Sequence, residues 1–571
     1  MAEIGPDDPA RGGAERRRRR AAIGLAAILA GLAAWGAVDL LAARSAATDG
    51  LDAASAVAGH WDDPDQARAH LEQAAADFDR AAERAGSPPL RFWRLVPGVG
   101  TQITSVRALA GAAADGALVG TELVDAVDAA ASDGGTADQG RVAAAEQLHA
   151  AVGRAHARFE ALDAGPDRFL LPPLADARAT FVERHREATE GLARADALLG
   201  GLTELLRGPS TYLVLATNNA EMRNGMGTPL YVAELHVTDG HTTLTDFEKP
   251  PIGVPPAAPF TDADLERNWA WLKPNFDLRM TGLSARFDVN AEQAAALWKQ
   301  QRGHDVDGVL SFDVEFIRAL LTLSGPVEVE GRTIGADEVV EFLLRDQYAL
   351  PDGERQAVEE GLGKVAFERL SSELTSLDLA AGSAFAEAVE GRHLLLWSNR
   401  PSQQSAWEAA GAAGMLAPNE IGVGIINRGP DKLDPFLAVA ADLAVVGRYA
   451  DRTDVELTLD VTNTATGDEP ETVAFGANKE LSQSPSEYRG VVAVTVPGEA
   501  TNLRIAERTS YVVHGVDGPH QLAAVQVFVV PQQTERLVVR FSLPPDAVLP
   551  VLAPTGRLPE IESAGGGRGG R

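Results

Sequence analysis

Five consecutive arginines, Arg16–Arg20, stand directly before eighteen residues without a charge, Ala21–Val38. This feature constrains the chain most, because so long an apolar run has few stable surroundings in water. As a helix it extends roughly 27 Å, enough to cross a hydrocarbon core. Arginines stay on the cytoplasmic side of a membrane, so the rest of the chain is expected outside. The sequence therefore predicts a basic cytoplasmic head over residues 1–20 and a transmembrane helix over residues 21–43. Asp39 interrupts the run, and Leu40–Ala43 continues it. A signal peptide cleaved near Ser45-Ala46-Ala47 is the competing reading. A helix buried in a soluble core fits the five arginines badly.

The 571 residues have room for roughly three to four domains. Hydrophobic residues make up 45% and charged residues 23%, which excludes global disorder. The formal charge of −30 argues against a nucleic-acid partner, since duplex binding needs a cationic face. There is no cysteine, so disulfides and thiol chemistry are excluded. Only six lysines occur, so arginine carries most of the positive charge. Any anion site is expected to use guanidinium forks.

Along the chain, apolar positions at helical spacing predict a helical stalk or bundle over residues 44–207. The breaks fall at Ser87-Pro88-Pro89, at Pro97–Gly100, at the polar loop Ser132–Gly140 and at Gly165–Pro173. From Gly208 the pattern changes. The continuous apolar run Tyr212–Ala216 reads as a strand covered on both faces. Leu230–Val237 and His241–Thr245 read as a hairpin around Asp239-Gly240. Short strands and helices then alternate, with Leu394–Trp397 and Ile421–Ile426 as the last strands. Residues 208–437 are thus expected to form a central α/β domain covered by helices. Period-two alternation from Val455 onward predicts an antiparallel β-sandwich over residues 438–560, able to fold alone. Residues 561–571 read as a disordered tail. The fold class is multidomain α+β.

The segment Thr217–Gly227, TNNAEMRNGMG, follows the first buried strand. Ligands on open α/β sheets bind beyond the carboxyl ends of strands, so a loop there is well placed. Asn218 and Asn219 offer amides, Glu221 a carboxylate and Arg223 a guanidinium; the alternative is a connection stapled by its own hydrogen bonds. A second cluster comprises Arg345, Asp346, Arg355 and Gln356, set at a helix end and the next helix start. The two arginines there either converge on one anion or serve their own helices, Arg345 as a C-cap and Arg355 paired with Glu359. Other motifs fail. Gly361-Leu362-Gly363 sits inside a helical pattern, and no P-loop or Gly-x-Ser-x-Gly elbow occurs. The turn at Asp239-Gly240 opposes His236 to Thr243 rather than to His241, which argues against a metal pair. Trp269, Trp271 and Trp298 read as core before sugar platform.

The segments TNNAEMRNGMG, VDGVLSFDVEFIRALLTLSGPVEVEG, EFLLRDQY, ERQAVEEGL and GRHLLLWSNRPSQQ together resemble the bacterial family called domain of unknown function 4012. The resemblance spans residues 213–427 and implies a protein anchored by one N-terminal helix, often actinobacterial; the family has no secure activity. A fainter likeness is to the LytR–CpsA–Psr phosphotransferases, which attach glycan polymers to the cell wall from polyprenyl-pyrophosphate donors. It rests on the strand and helix after Val306, on SGPVEV and on LLRDQY…ERQ. That likeness implies pyrophosphate contacts from Arg345, Arg355 and Gln356. It also implies Mg²⁺ on Glu221 or Asp346, with Arg223 nearby. Those enzymes carry a proline–arginine–aspartate element after the first hairpin. This chain reads Phe247-Glu248-Lys249-Pro250, without that arginine. The expected function is handling of envelope glycan or its polyprenyl-pyrophosphate-linked donor, as a glycosyl-phosphate transferase; the alternative is a non-catalytic extracytoplasmic scaffold or partner-binding protein of the cell envelope.

A reporter fused after Arg571 is expected to be active only outside the cytoplasm; activity inside would reverse this topology. Mass spectrometry of the N-terminus separates a retained anchor from a mature chain starting near Thr48.

Overall fold

The structure, a computed structural model, describes residues 35, 37–57, 63–133, 138–253, 255–376, 379–476 and 485–563. It forms two compact units. The first comprises residues 1–129 and 150–193, the second residues 130–149 and 194–571. The architecture is mixed α and β and multidomain.

The first unit is helical. Its elements are α1 over residues 37–57, α2 (Pro64–Ala85), α3 (Pro88–Trp93) and most of α4 (Val99–Asp133), with parts of α5 (Asp138–Glu160) and α6 (Pro172–Arg207). Helix α2 begins where the Asp63 side chain accepts from Gln66 N and Pro64 takes the first turn; it ends at Gly86. Its buried face is mostly alanine, with Phe78, so neighbouring helices approach closely. Helix α1 runs antiparallel to it: Asp39 pairs with Arg84 at 3.5 Å, Ala46 packs with Ala81, and Gly50 lies under the Phe78 ring. No helix among the described residues is long and apolar enough to cross a membrane. The span expected over residues 21–43 lies mostly outside the described residues.

The second unit is built on three sheets. Strands β1 (Ser210–Met222), β2 (Gly227–Thr238), β3 (His241–Leu244), β4 (Gly308–Phe312) and β7 (Leu394–Ser398) form the first, in the order β3-β2-β1-β4-β7. Only β1 and β4 pair in parallel there. Helices α7 (Ala263–Trp269) and α8 (Phe287–Arg302) lie between β3 and β4 in the chain. After β4 come α9 (Val314–Ser324), the hairpin of β5 (Val327–Val329) and β6 (Arg332–Ile334), then α10 (Ala336–Leu344), α11 (Asp352–Ser376) and α12 (Leu379–Glu390). Alternate residues of β1 serve opposite faces. Tyr212 and Val214 join the core with α9 and α10, whereas Leu213 and Leu215 pack with Phe287, Ala291 and Leu297 of α8. Burial on both faces explains the unbroken apolar run. Ala145, Leu205 and Leu206 from the ends of α5 and α6 complete the first of these cores.

Helix α13 (Pro401–Ala409) leads to β8 (Glu420–Asn427). Beyond it, β9 (Leu437–Arg448), β10 (Thr453–Asn463), the short α14 (Glu471–Ala474), β11 (Tyr488–Val496), β12 (Thr501–Ile505), β13 (Val513–Asp517), β14 (His520–Val529), β15 (Thr534–Leu543), β16 (Val551–Leu552) and β17 (Glu562–Ser563) follow. They form two five-stranded sheets, β12-β15-β10-β9-β17 and β13-β14-β11-β8-β16.

Three expectations change. The segment Thr217–Met222 is strand rather than loop, because β1 continues through two irregularities of register; the connection shrinks to Arg223–Met226. Ile421–Ile426 belongs with β11 rather than with the central sheet, so the boundary at residue 438 cuts through a sheet. Of the expected tail, Glu562 and Ser563 pair with Ala440 and Ala441; residues 564–571 lie outside the described residues.

Residues 438–560 expressed alone lack β8, which pairs with β11 from Gly490 to Thr495. That fragment is therefore expected to show no cooperative unfolding transition by calorimetry. A sharp transition would restore the boundary at residue 438.

Candidate functional site

At the carboxyl end of β1 the chain turns polar without leaving the interior. Asn218 and Asn219 are 5% and 0% exposed, so each amide needs partners inside. Asn218 Nδ2 donates to the Tyr348 hydroxyl (2.8 Å), and its Oδ1 accepts from Ala220 N (2.9 Å). Asn219 Nδ2 donates to Asp313 Oδ2 and to the Gly556 carbonyl, both at 2.7 Å; its Oδ1 is buried without a partner. Asp313 caps α9 and also meets His393 Nδ1 at 2.8 Å. Burial opposes charge on His393, but Asp313 outweighs it and raises the imidazole above its ordinary value.

Beside Asn218 lies a small, partly open cavity of about 60 Å³. Its walls are mainly apolar, with Leu230, Phe247, Phe312, Ile317, Leu343 and Leu362. Thr217, Asn218, Tyr231, Gln347 and Glu359 supply the polar edges. The Tyr231 hydroxyl donates to Glu359 Oε2 at 2.8 Å. Burial raises the Glu359 carboxyl above its usual range, against the Tyr231 hydrogen bond and the charges of Arg355 and Lys249. Burial likewise raises Tyr231, with Glu359 adding to it. The cavity's apolar walls with a few polar edges have the composition of a small-molecule site, at a volume that takes only a small group.

The residues expected to clamp phosphate divide. Arg223 is buried: Nε donates to the Arg279 carbonyl (3.1 Å), and Nη1 to those of Met222 (3.1 Å) and Asn427 (3.3 Å). Burial pushes its guanidinium down to about 10. Arg345 pairs with Glu341 (3.2 Å), donates to the Pro435 carbonyl (2.8 Å) and covers the Phe436 ring. Arg355 pairs with Asp352 (2.7 Å), not Glu359, and lies over the Tyr348 ring at 5.7 Å. No two of the three share an acceptor among these contacts. Gln356 Oε1 accepts from Lys249 Nζ at 3.1 Å. The two carboxylates expected to hold Mg²⁺ lie on separate elements. Glu221 forms an ion pair with Lys432, and Asp346 is exposed on a short turn of helix. Among the described residues, no group of three or more acids and histidines is placed to hold a metal.

Sequence reasoning missed Tyr231, Glu359 and Lys249. Lys249 had a signal, because it stands beside the site of the absent arginine and is one of only six lysines. Tyr231 lies on β2 and Glu359 on α11, and their pairing spans 128 residues, beyond any local pattern. The three tryptophans also divide: Trp269 and Trp298 are buried, and Trp271 is 46% exposed beneath Arg428.

Residues 207–348 match a family model described as "Protein of unknown function (DUF4012)". That segment holds β1–β4, α7–α10 and much of the cavity wall. No curated protein and no solved structure matches the chain.

Below the hairpin, Asp431 is 3% exposed and accepts from Asn427 Nδ2 (3.1 Å) and Leu433 N (3.3 Å). Burial raises its carboxyl to about 7, with Asp434 adding to it and the Asn427 hydrogen bond opposing. An acid with a raised folded-state pKa stabilises the fold below its unfolded value, and that contribution is lost as pH rises toward the folded value. Asp431→Asn mimics the protonated form. It is expected to stabilise the protein by about 2–4 kcal/mol at pH 8, with the gain shrinking toward zero near pH 4. Denaturant titrations across that range check it; a gain independent of pH would refute the assignment.

Proposed function

We propose that the second unit is a non-catalytic binding module of the cell envelope. It holds a lipid-linked glycan donor, with the phosphate at Arg355 and Lys249 and a terminal methyl group of the adjoining isoprene unit reaching the cavity at the end of β1. The observation that carries this reading is the apolar cavity whose Glu359 edge lies in the field of those two cations. The methyl and methylene groups of the isoprene unit next to the phosphate match the aromatic and aliphatic walls, and burying them adds to the affinity. A phosphate forms charge-assisted bonds with guanidinium and ammonium groups, and Gln356 already ties Lys249 in place. The envelope setting follows from the arginine run and the apolar run after it.

Holding is favoured over transfer. Transfer from a pyrophosphate needs the departing charge neutralised by several cations or a metal ion. Arg223 and Arg345 are committed to carbonyls, and Glu221 to Lys432. This joins the ligand of the leading expectation to the non-catalytic role of its alternative.

Polyprenyl phosphate and the matching polyprenyl alcohol are the probes. The wild-type chain is expected to bind both, the phosphate more tightly. Lys249→Ala and Arg355→Ala are each expected to weaken phosphate binding by roughly ten- to a hundredfold while leaving the alcohol unchanged. Gly363→Leu adds a side chain toward Phe247 and is expected to abolish binding of both. If the wild type binds neither probe, the reading fails. If it binds both but the alanine variants match it, the cavity stands and the phosphate contacts fall.

A further inference from the structure

One end of the first unit exposes large apolar side chains that a water-facing surface does not need. Leu95 is 82% exposed, Phe169 88% and Leu171 64%, with Phe92, Val96 and Val99 also exposed. They come from two separate segments, the turn from α3 into α4 and the loop before α6. Gln102 ties these together: its Nε2 donates to the Phe169 carbonyl (2.6 Å), and its Oε1 accepts from Leu171 N (3.0 Å). Trp93 stands edge-on to Phe92, with ring centroids 5.7 Å apart. The tip is therefore a fixed feature of the fold, and exposed apolar groups gathered in this way mark an interaction surface.

Its charge is as specific as its apolarity. Arg91, Arg94 and Arg168 are exposed within the same two segments, against two acids there, Asp163 and Asp167. The chain as a whole carries −30. A local cationic, aromatic and aliphatic tip on a strongly acidic protein complements an anionic lipid interface.

The position of the tip agrees. Asp39 at the start of α1 pairs with Arg84 at the end of α2, and α3 follows directly. The tip thus lies at the end of the unit where α1 begins, immediately after the uncharged run Ala21–Val38.

We infer that this tip docks into an anionic lipid surface: Leu95, Phe169 and Leu171 enter the headgroup–acyl boundary, and Arg91, Arg94 and Arg168 meet the phosphates. It goes beyond the ligand proposed for the second unit. It shares with that reading only the expected anchor over residues 21–43.

Because the chain has no cysteine, Leu95→Cys and Phe169→Cys each create one labelling site on an exposed side chain. Leu118→Cys, also exposed and roughly 28 Å further along α4, is the control. The full chain, reconstituted into vesicles containing phosphatidylglycerol, carries a nitroxide at one site at a time. Relaxation by dissolved oxygen is compared with relaxation by a water-soluble nickel chelate. Labels at 95 and 169 are expected to favour oxygen, and the label at 118 the chelate. A chain that reconstitutes but gives chelate-accessible labels at 95 and 169 overturns the inference while the anchor stands. A chain that does not associate with vesicles overturns both. Spin–spin broadening at 95 or 169 that vanishes on dilution with unlabelled chain would make the tip a contact between copies, and also overturns it.

Discussion

The second unit depends on one carboxylate. Asp434 is fully buried and receives four donors: Met222 N (3.1 Å) at the end of β1, Asn427 Nδ2 (2.9 Å) at the end of β8, the Tyr488 hydroxyl (3.2 Å) at the start of β11, and Arg557 Nη1 (2.9 Å) from the C-terminal segment. Two sheets and the segment around Arg557 thus meet at a single charge. Arg557 is itself 2% exposed and also donates to the carbonyls of Asp434 and Leu437. A buried pair of this kind contributes little over an apolar substitute, but removing one partner leaves a charge stranded, at about 3–5 kcal/mol. It makes the relative placement of β1, β8 and β11 specific rather than merely stable.

That bolt accounts for what the hairpin does. The Arg223–Met226 connection carries the residues that look most like a ligand loop, yet they face inward. Arg223 reaches the Asn427 carbonyl, Asn224 Nδ2 reaches the Leu283 carbonyl, and Glu221 meets Lys432. Gly225 lies so close to Ser284 that a Cβ there would sit 2.4 Å from its carbonyl oxygen. The motif joins the central sheet to the sheet that contains β8. The open space lies instead beside Asn218, where Tyr231, Gln347 and Glu359 edge apolar walls.

Local patterns revealed the elements well. The run Tyr212–Ala216, the Asp239-Gly240 turn with both residues at positive φ, and the helix breaks at Pro88 and Pro172 all follow from backbone chemistry that a sequence displays. What stayed hidden was long-range. Whether Ile421–Ile426 joins β4 or β11 is a choice between partners equally apolar, and no residue in the strand encodes it. The polarity of Asn218 and Asn219 suggested a surface loop. Their partners at Tyr348, Asp313 and Gly556 lie 130, 94 and 337 residues away, so burial could satisfy them in ways no local reading reaches.

The arginine bias has a similar explanation. Read from composition, a chain with six lysines and many arginines suggests guanidinium forks for an anionic ligand. In the fold many of those forks pair with the chain's own carboxylates, and several serve carbonyls. Arg392 Nη2 donates to Ala285 O (2.9 Å), Arg400 Nη2 to Pro209 O (2.6 Å), Arg345 Nη2 to Pro435 O, and Arg91 Nε to Gly86 O (2.9 Å). Carbonyls at helix ends and in irregular connections lack intrasegment donors, and a planar group with five N–H bonds can satisfy several at once. An ammonium on a flexible stem does this less well and is harder to bury. Arginine thus serves where connections and helix ends leave carbonyls without a backbone donor. Lys249 takes a different place: its Nζ meets a side-chain amide on α11 rather than a carbonyl of the backbone. In a chain whose other cations are so widely committed to the fold, that exposed ammonium beside an apolar cavity is the stronger mark of a ligand site.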